Sequence, residues 1–194
     1  MANIRAIQSV SSSMVSFLER TYPDDLRAEI NCSFSLLSLG GLTADPPDRT
    51  VTLYLHRISV NEHLRNARLS IDPVRSVHPL SLDLHYLLTV WFSRPAEEQT
   101  ILAWAMRQLH LHPVLDASIL SPDANWREGD VVHLVPADLT AEDIFRIWDS
   151  LPVKYRISVG YVARMVRIEP DNPDQEFPPV VARRLDFDER RRDA

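Results

Sequence analysis

Asp83 and His85 stand two residues apart in the stretch LSLDLHYLLTVW, residues 80–91, which is otherwise mostly apolar. A carboxylate beside an imidazole is a pairing that proteins use for general acid–base catalysis. Because alternate residues of a β-strand project from the same face, the two side chains can meet if this stretch is a strand. A hydrolase also needs a nucleophile, and no G-x-S-x-G motif occurs. We interpret both side chains as hydrogen-bonded groups on the less buried face of a strand.

Three other side chains have chemistry that could form a site. His110 and His112 are metal-ligand types, but residues two apart on a helix point in different directions, and no H-E-x-x-H motif or Cys–His cluster accompanies them. Cys32 is predicted to be a small buried residue rather than a nucleophile. Neither a G-x-G-x-x-G motif nor a P-loop is present. The residues alone therefore predict no active site, no metal and no cofactor.

The composition is that of an ordinary globular protein, with 45% hydrophobic and 25% charged residues in a chain of 194. A formal net charge of −6 argues against binding of nucleic acid through a basic surface. The longest apolar run, around residues 86–92, is too short to span a bilayer, and the N-terminus lacks the pattern of a secretory signal. The single cysteine fits a reducing compartment. We expect a soluble cytoplasmic protein that binds neither nucleic acid nor membrane.

Hydrophobic periodicity predicts the elements that position these side chains. Spacing of three and four residues predicts helices over residues 3–20 and from Pro95 to Pro113, and a capping box at Thr140 and Asp143 begins another. Alternation of apolar and polar residues predicts strands at residues 28–36, 51–58, 80–91, 130–135 and 154–168. In the last strand, Gly160 is the expected position of a bulge or kink.

The order of these elements indicates the fold class. Several strands follow one another without an intervening helix, which is typical of an α+β domain with a mixed, mainly antiparallel sheet flanked by helices. We assign this single domain to residues 1–168. From Glu169 onward prolines and charges dominate, which predicts an extended C-terminal arm over residues 169–194.

A basic segment at residues 154–167 contains no acidic residue, and the next acid is Glu169. In an acidic protein such a segment could bind an acidic partner, although a sheet face open to water explains the same residues. The candidate assembly surface combines this segment with the two aromatic residues of the arm: Lys154, Tyr155, Arg156, Arg164, Arg167, Phe177 and Phe187.

Several separate motifs together resemble one known family. In chain order they are LYL at Leu53–Leu55, LRN at Leu64–Asn66, LDLHYLL at Leu82–Leu88, HPVL at His112–Leu115 and YRISVGY at Tyr155–Tyr161. In this order and at similar spacing, over residues 3–168, the chain resembles the cap proteins of phage-tail-like contractile injection systems. Val153-Lys154 departs mildly from the family pattern, and the residues after 169 match nothing in it.

The resemblance implies a structural tail terminator rather than an enzyme. Such proteins form a six-membered ring on the end of the inner tube and sheath, stop polymerisation and hold the sheath extended. The implied partners are other copies of the chain and the sheath and inner-tube proteins, in a particle that is assembled in the cytoplasm and can be released. The family-motif residues would be structural: Leu53, Tyr54, Leu55, Leu64, Arg65, Asn66, Asp83, His85 and Tyr86.

Sheath subunits of such machines add extended arms to neighbouring sheets. The resemblance therefore implies that the strand at residues 155–168, or the arm at 169–194, supplies a sheath contact by β-augmentation. Two alternatives stay open. One is an adaptor ring at a phage neck or tail-completion site. The other is a small hydrolase that uses Asp83 and His85, for which alanine at both positions would abolish turnover and leave the fold intact.

Overall fold

The computed structural model describes residues 2–39, 45–61 and 79–169, which form a six-stranded sheet packed against helices. The helices are α1 (Ala6–Thr21), α2 (Asp24–Glu29), α3 (Pro95–Leu111) and α4 (Ala141–Asp149). The strands are β1 (Ser33–Leu37), β2 (Thr50–Val60), β3 (Leu80–Trp91), β4 (Val114–Leu115), β5 (Val132–Pro136) and β6 (Ser158–Ile168). A 3₁₀ turn covers Pro122–Ala124.

The strands lie in the order β1-β2-β3-β6-β5-β4. β1 runs parallel to β2, and every other neighbouring pair is antiparallel. The predicted α+β fold with a mixed, mainly antiparallel sheet is therefore confirmed. The two strands at the centre, β3 and β6, are far apart in sequence and pair along almost their whole length.

One face of the sheet packs against α1 and α3 and forms the main core. The side chains of β3 that point to this face are those predicted from its alternation: Leu82, Leu84, Tyr86, Leu88 and Val90. From α1, Val10, Met14 and Leu18 meet them at helical spacing. The Ser11 hydroxyl shares a buried hydrogen bond of 2.8 Å with the Tyr86 hydroxyl, which fixes the helix on the sheet.

Half of the opposite face is covered by α4, which begins with the predicted capping box at Thr140 and Asp143. Leu87 and Trp91 of β3 pack there against Trp148 and Leu151 in a second, smaller core. This face of β3 is therefore less buried only in its first half, where Asp83 and His85 lie, and not along the whole strand as predicted.

The strand predicted at residues 28–36 is wrong in its first half. Residues 24–29 form α2, Ala28 is exposed, and β1 begins only at Ser33. Pro23 occupies the N-cap position and two acids, Asp24 and Asp25, fill the first turn, and both features favour a helix start. Alternation in a short stretch did not distinguish the two structures.

The last predicted strand begins four residues late, at Ser158, and its irregularity is not at Gly160. Gly160 pairs in regular register with Leu87, and a Cβ there would lie 2.6 Å from Leu139 Cδ1. The glycine is thus required by close packing against the chain before α4. The bulge lies instead at Met165, which has a left-handed φ of 66°, opposite the register shift between Leu82 and Leu84.

β6 lies inside the sheet, between β3 and β5. Its backbone groups therefore pair with both neighbours where β5 is present, and the free edge expected at residues 155–168 is not found. The edge strands of the described sheet are β1 and the two-residue β4.

Candidate functional site

The half of the sheet face that α4 leaves uncovered is an open groove of about 610 Å³. Its floor is formed by β2, β3 and β6, and the segment joining β5 to α4 forms one wall. Both residues singled out from the sequence are among its polar lining side chains, which are His56, Arg57, Asp83, His85, Asp138, Asp143, Arg146 and Arg164. Because carboxylates and two imidazoles line this groove, acid–base chemistry in the described part of the chain would be expected here. The contacts of Asp83, His85 and His56 decide whether these groups are available for it.

Asp83 is occupied by the sheet itself. Its Oδ1 accepts hydrogen bonds from Asn61 Nδ2 at 3.0 Å and from the Met165 backbone N–H at 3.1 Å. Its Oδ2 lies 3.1 Å from the same Asn61 nitrogen and 3.9 Å from Arg164 Nε. Because Met165 is the bulge residue, its N–H is out of line with the β3–β6 ladder. The carboxylate takes the place of the missing ladder partner.

His85 makes a hydrogen bond of 2.8 Å from Nε2 to the Ser59 hydroxyl, an arrangement that a nucleophile and its base require. In the described part of the chain, however, no hydrogen bond joins Asp83 to His85, so the third group of a catalytic triad does not orient the ring. Burial and the positive charge of Arg57 lower the pKa of His85, with Asp83 opposing them. The ring is therefore a weaker base than a free imidazole.

His56 was not singled out from the sequence, although alternation placed it on this face of β2. It occupies a bulge between Leu55 and Arg57, with its ring centroid 6.2 Å from that of His85. Burial, followed by the charges of His85 and Arg57, lowers the pKa of His56 to about 4. The sequence did indicate that His56 and His85 lie on two successive predicted strands. It did not show that they meet, because the bulge that brings their rings together depends on the pairing of β2 with β3.

This lowered pKa predicts a pH-dependent stability. The unfolded imidazole binds a proton near its ordinary pKa of 6.5, whereas the folded one stays neutral to about pH 4. The free energy of unfolding should therefore fall as the pH drops from 6.5 to 4, by about 1–2 kcal/mol for His56 after discounting for partial exposure. Urea denaturation at pH 7 and pH 4.5 measures this. His56→Gln should show a smaller fall, and an equal fall in both proteins contradicts the assignment.

The other candidate ligands lie away from the groove. His112 Nδ1 lies 3.0 Å from the Gln108 carbonyl oxygen and its ring packs edge-on against Phe17, while His110 is exposed at the end of α3. Burial raises the pKa of the Cys32 thiol, in keeping with a small core residue. Within residues 2–39, 45–61 and 79–169, no three His, Cys, Asp or Glu side chains could together hold a metal ion. None of the helices described there is long and apolar enough to cross a membrane.

The family-motif residues Leu53, Tyr54, Leu55 and Tyr86 lie in the two cores, whereas Asp83 and His85 lie in the groove. Leu53 is buried and Leu55 partly buried in the main core, while Tyr54 packs in the second core. Tyr86 is fully buried, and burial raises the pKa of its hydroxyl. Leu64, Arg65 and Asn66 lie outside the described residues.

The candidate assembly surface is divided by the fold. Arg164 lies in the groove and Arg167 near the far end of β6, whereas Lys154, Tyr155 and Arg156 follow α4. Arg156 extends over the ring of Trp91 at 5.9 Å and lies 3.6 Å from Asp45 Oδ2. Phe177 and Phe187 are outside the described residues.

Tyr155 belongs to an aromatic cluster that the sequence did not reveal. Its ring centroid lies 5.4 Å from that of Phe145 and 5.6 Å from that of Trp148. We call these three residues the aromatic patch. The amphipathic pattern of α4 contained a signal, because Phe145 stands one turn from Trp148 on a helix that has a single buried residue.

Comparisons with known proteins supply independent findings. A model of the Pvc16 N-terminal domain family matches residues 9–182, so the match extends past Glu169 into the segment in which no family motif was found. The sequence has no significant match among curated proteins. The fold is similar to the sheath/tube terminator, in the extended state, of the extracellular contractile injection system PVC. That match has a TM-score of 0.52 and 15% identity, and it covers 97% of this chain and 65% of that one.

A second solved structure is the tube-terminating cap of the anti-feeding prophage, with a TM-score of 0.47 and 16% identity over 88% of this chain and 60% of that one. The chain thus spans less than two thirds of the length of either structure.

Proposed function

Because the chain belongs to the Pvc16 N-terminal domain family, we propose that it is a structural tail-terminator subunit of a contractile injection system. In this proposal it forms a six-membered ring on the distal end of the inner tube and sheath. The ring ends polymerisation and holds the sheath in its extended state. The observation that carries the proposal is the fold shared with a sheath/tube terminator over 97% of the chain.

The groove supports a structural function better than a catalytic one. Asp83 completes the hydrogen bonding of a bulge, and His85 is held by Ser59 with a lowered pKa. Groups that already serve the sheet are poorly available for proton transfer to a substrate. The polar residues of the motif at 82–88 therefore define how β3 meets β2 and β6.

The edge strand β1 is the best-suited place for a sheath contact. Its sequence, SFSLL, contains no charge and no proline, and the strand has neither a bulge nor a described neighbour on its outer side. Such an edge accepts an extended segment by β-augmentation, because its outer N–H and C=O groups are not paired with another described strand. We therefore transfer the proposed sheath contact from β6 to β1.

The ring and its particle complete the proposal. A ring requires a heterologous interface that repeats around an axis, and a terminator differs from a sheath subunit in offering no further binding surface of the same kind. The partners are other copies of the chain and the sheath and inner-tube proteins, without nucleic acid or membrane. Assembly takes place in the cytoplasm, and the finished particle can be released.

Deletion of the gene in its host, followed by negative-stain imaging of purified particles, tests the function. We expect uncapped tubes, abnormal lengths or sheaths that have contracted before use, and restoration of normal particles when the gene is supplied in trans. Particles of normal length with intact ends would refute the terminator. Dependence of capsid joining on the gene would identify a neck adaptor instead.

A hydrolase is the second candidate, because the Ser59 hydroxyl and His85 Nε2 are 2.8 Å apart in an open groove. Ser59→Ala would abolish turnover of an ester substrate in that case and leave particle assembly unaffected. A terminator should show no turnover that depends on Ser59.

A further inference from the structure

The aromatic patch is exposed in a way that a folded monomer does not require. Phe145 is 55% exposed and Tyr155 is 51% exposed, although their rings are in contact. Ile157, which follows in the chain, is 43% exposed. Adjacent exposed aromatic side chains are typical of protein–protein contact sites, because such residues contribute most of the binding energy at interfaces.

The patch rests on a rigid support. Trp148 is buried beneath Tyr155, and its ring centroid lies 5.9 Å from that of Trp91 in β3. The Trp148 Nε1 donor is buried and has no hydrogen-bond partner among the described residues. Because this nitrogen is buried, a bound segment meets the apolar rings of the patch and not this donor.

The charges around the patch largely balance one another. Arg146 pairs with Glu142 at 2.6 Å, and Arg156 lies 3.6 Å from Asp45. Lys154 and Asp149 are exposed, and neither forms an ion pair with another described residue. An occupant therefore needs apolar groups to cover the aromatic rings, and a carboxylate within it can pair with Lys154.

The chain itself contains a segment of this chemistry. The sequence PDNPDQEFPP, Pro170–Pro179, has four prolines, three acids and Phe177, and no basic residue follows before Arg183. Proline-rich segments pack their rings on exposed aromatic side chains, with a small loss of conformational entropy because they are already extended. The acidic side chains of the segment are complementary in charge to Lys154.

The segment cannot easily reach the patch of its own chain. Trp91 and Ser158 are at the same end of the sheet, because Thr89 pairs with Ser158, so the patch lies at the beginning of β6. The segment starts just after Ile168, about 33 Å away along an 11-residue strand. A fully extended chain advances at most about 3.6 Å per residue. Phe177, nine residues after Ile168, therefore reaches at most about 32 Å, so only Pro178 and Pro179 of the segment can contact the patch of the same chain.

We propose that Pro170–Pro179 of one copy binds the aromatic patch of a second copy. The contact is heterologous, since a segment meets a patch, and repeating it from copy to copy can close a ring. The inference rests on the proposed function, because only a terminator subunit is expected to form such a ring. Beyond the proposed function, the inference states which two surfaces meet between neighbouring copies. Neither surface includes the groove or the β1 edge.

Disulfide trapping between two full-length variants tests the contact. One variant carries Tyr155→Cys and the other carries Phe177→Cys, and the native Cys32 is buried in both. Mixed and oxidised, they should form a disulfide-linked heterodimer. The matched control replaces Tyr155→Cys with Leu111→Cys, at a position on α3 that is 61% exposed, and should give at least tenfold less heterodimer. Equal yields with the two partners, or no heterodimer either in purified protein or in particles from the producing host, would overturn the proposal.

A third variant carries both Tyr155→Cys and Phe177→Cys, and it distinguishes a contact between two copies from a contact within one chain. A crosslink between chains should form in purified protein or, if copies meet only on the tube, in particles from the producing host. A disulfide within one chain would overturn the second-copy assignment. If particles are normally capped without the crosslink, this inference fails and the proposed function stands. If gene deletion leaves particle ends intact, the proposed function fails whatever the crosslinking shows.

Discussion

Replacement of Asp83 by alanine is expected to lower the free energy of unfolding by about 2–4 kcal/mol. The carboxylate accepts hydrogen bonds from the Asn61 amide and from the Met165 N–H, and only 14% of the side chain is exposed. Its removal takes an acceptor from the Asn61 amide and leaves the Met165 N–H without this carboxylate in a partly buried site, and the φ of 66° at Met165 is already unfavourable. The loss should therefore exceed that of an ordinary surface acid.

Urea denaturation followed by circular dichroism at pH 7 measures this loss. His85→Ala, two residues away on the same face, is the matched control and should change stability by less than about 1 kcal/mol, since it loses a single hydrogen bond to Ser59. Asp83→Asn retains one acceptor oxygen, so its loss in the free energy of unfolding should lie between those of Asp83→Ala and His85→Ala. If Asp83→Ala unfolds at the wild-type urea concentration while an enzymatic activity disappears, the structural assignment of Asp83 is wrong and the hydrolase is favoured.

Replacement of Trp91 by alanine should have the larger effect, about 3–5 kcal/mol. Trp91 is 2% exposed, and its Nε1 donates a hydrogen bond of 2.8 Å to the Thr52 hydroxyl. It also contacts Trp148 of α4 and lies under the guanidinium of Arg156. The variant loses apolar contacts, leaves a cavity in the smaller core and removes the main attachment of α4 to the sheet.

Thermal or urea unfolding gives the stability of the Trp91 variant, and the heterodimer yield with Phe177→Cys reports on the aromatic patch. Trp91→Phe keeps an aromatic ring against Trp148 and should lose less than half as much stability. We expect Trp91→Ala, combined with Tyr155→Cys, to form less heterodimer because α4 is no longer held. A stable Trp91→Ala protein would show that α4 is held by other contacts.

The hydrophobic periodicity predicted elements in which one face is buried along the whole length, and the capping motif predicted where a helix begins. β3 shows this best: its alternation placed Leu84, Tyr86 and Leu88 on the core face, and the structure agrees. The capping box of α4 was predicted from Thr140 and Asp143 because it is a local arrangement of side chain and backbone. The resemblance to contractile-injection-system caps, drawn from short motifs, is confirmed by the family match over residues 9–182.

Features that depend on pairing between distant strands were not predictable. The bulges at His56 and Met165 arise from the registers of β2 with β3 and of β3 with β6, and neither sequence contains a glycine at the irregular position. The Ser59–His85 contact follows from the first of these registers. The position of α4 over Trp91 is likewise a tertiary property, so the aromatic patch could not be read from the helix alone.

The pairing of β3 with β6 also determines when this protein can fold as it is synthesised. β3 is complete at Trp91, but its second partner begins only at Ser158. A ribosome adds about 5–20 residues per second, so one edge of an apolar strand waits roughly 3–13 seconds for its neighbour. During that interval the nascent chain presents an unpaired strand that can join another nascent chain. Yield in a heterologous host should therefore depend on translation speed and on chaperones that bind nascent chains.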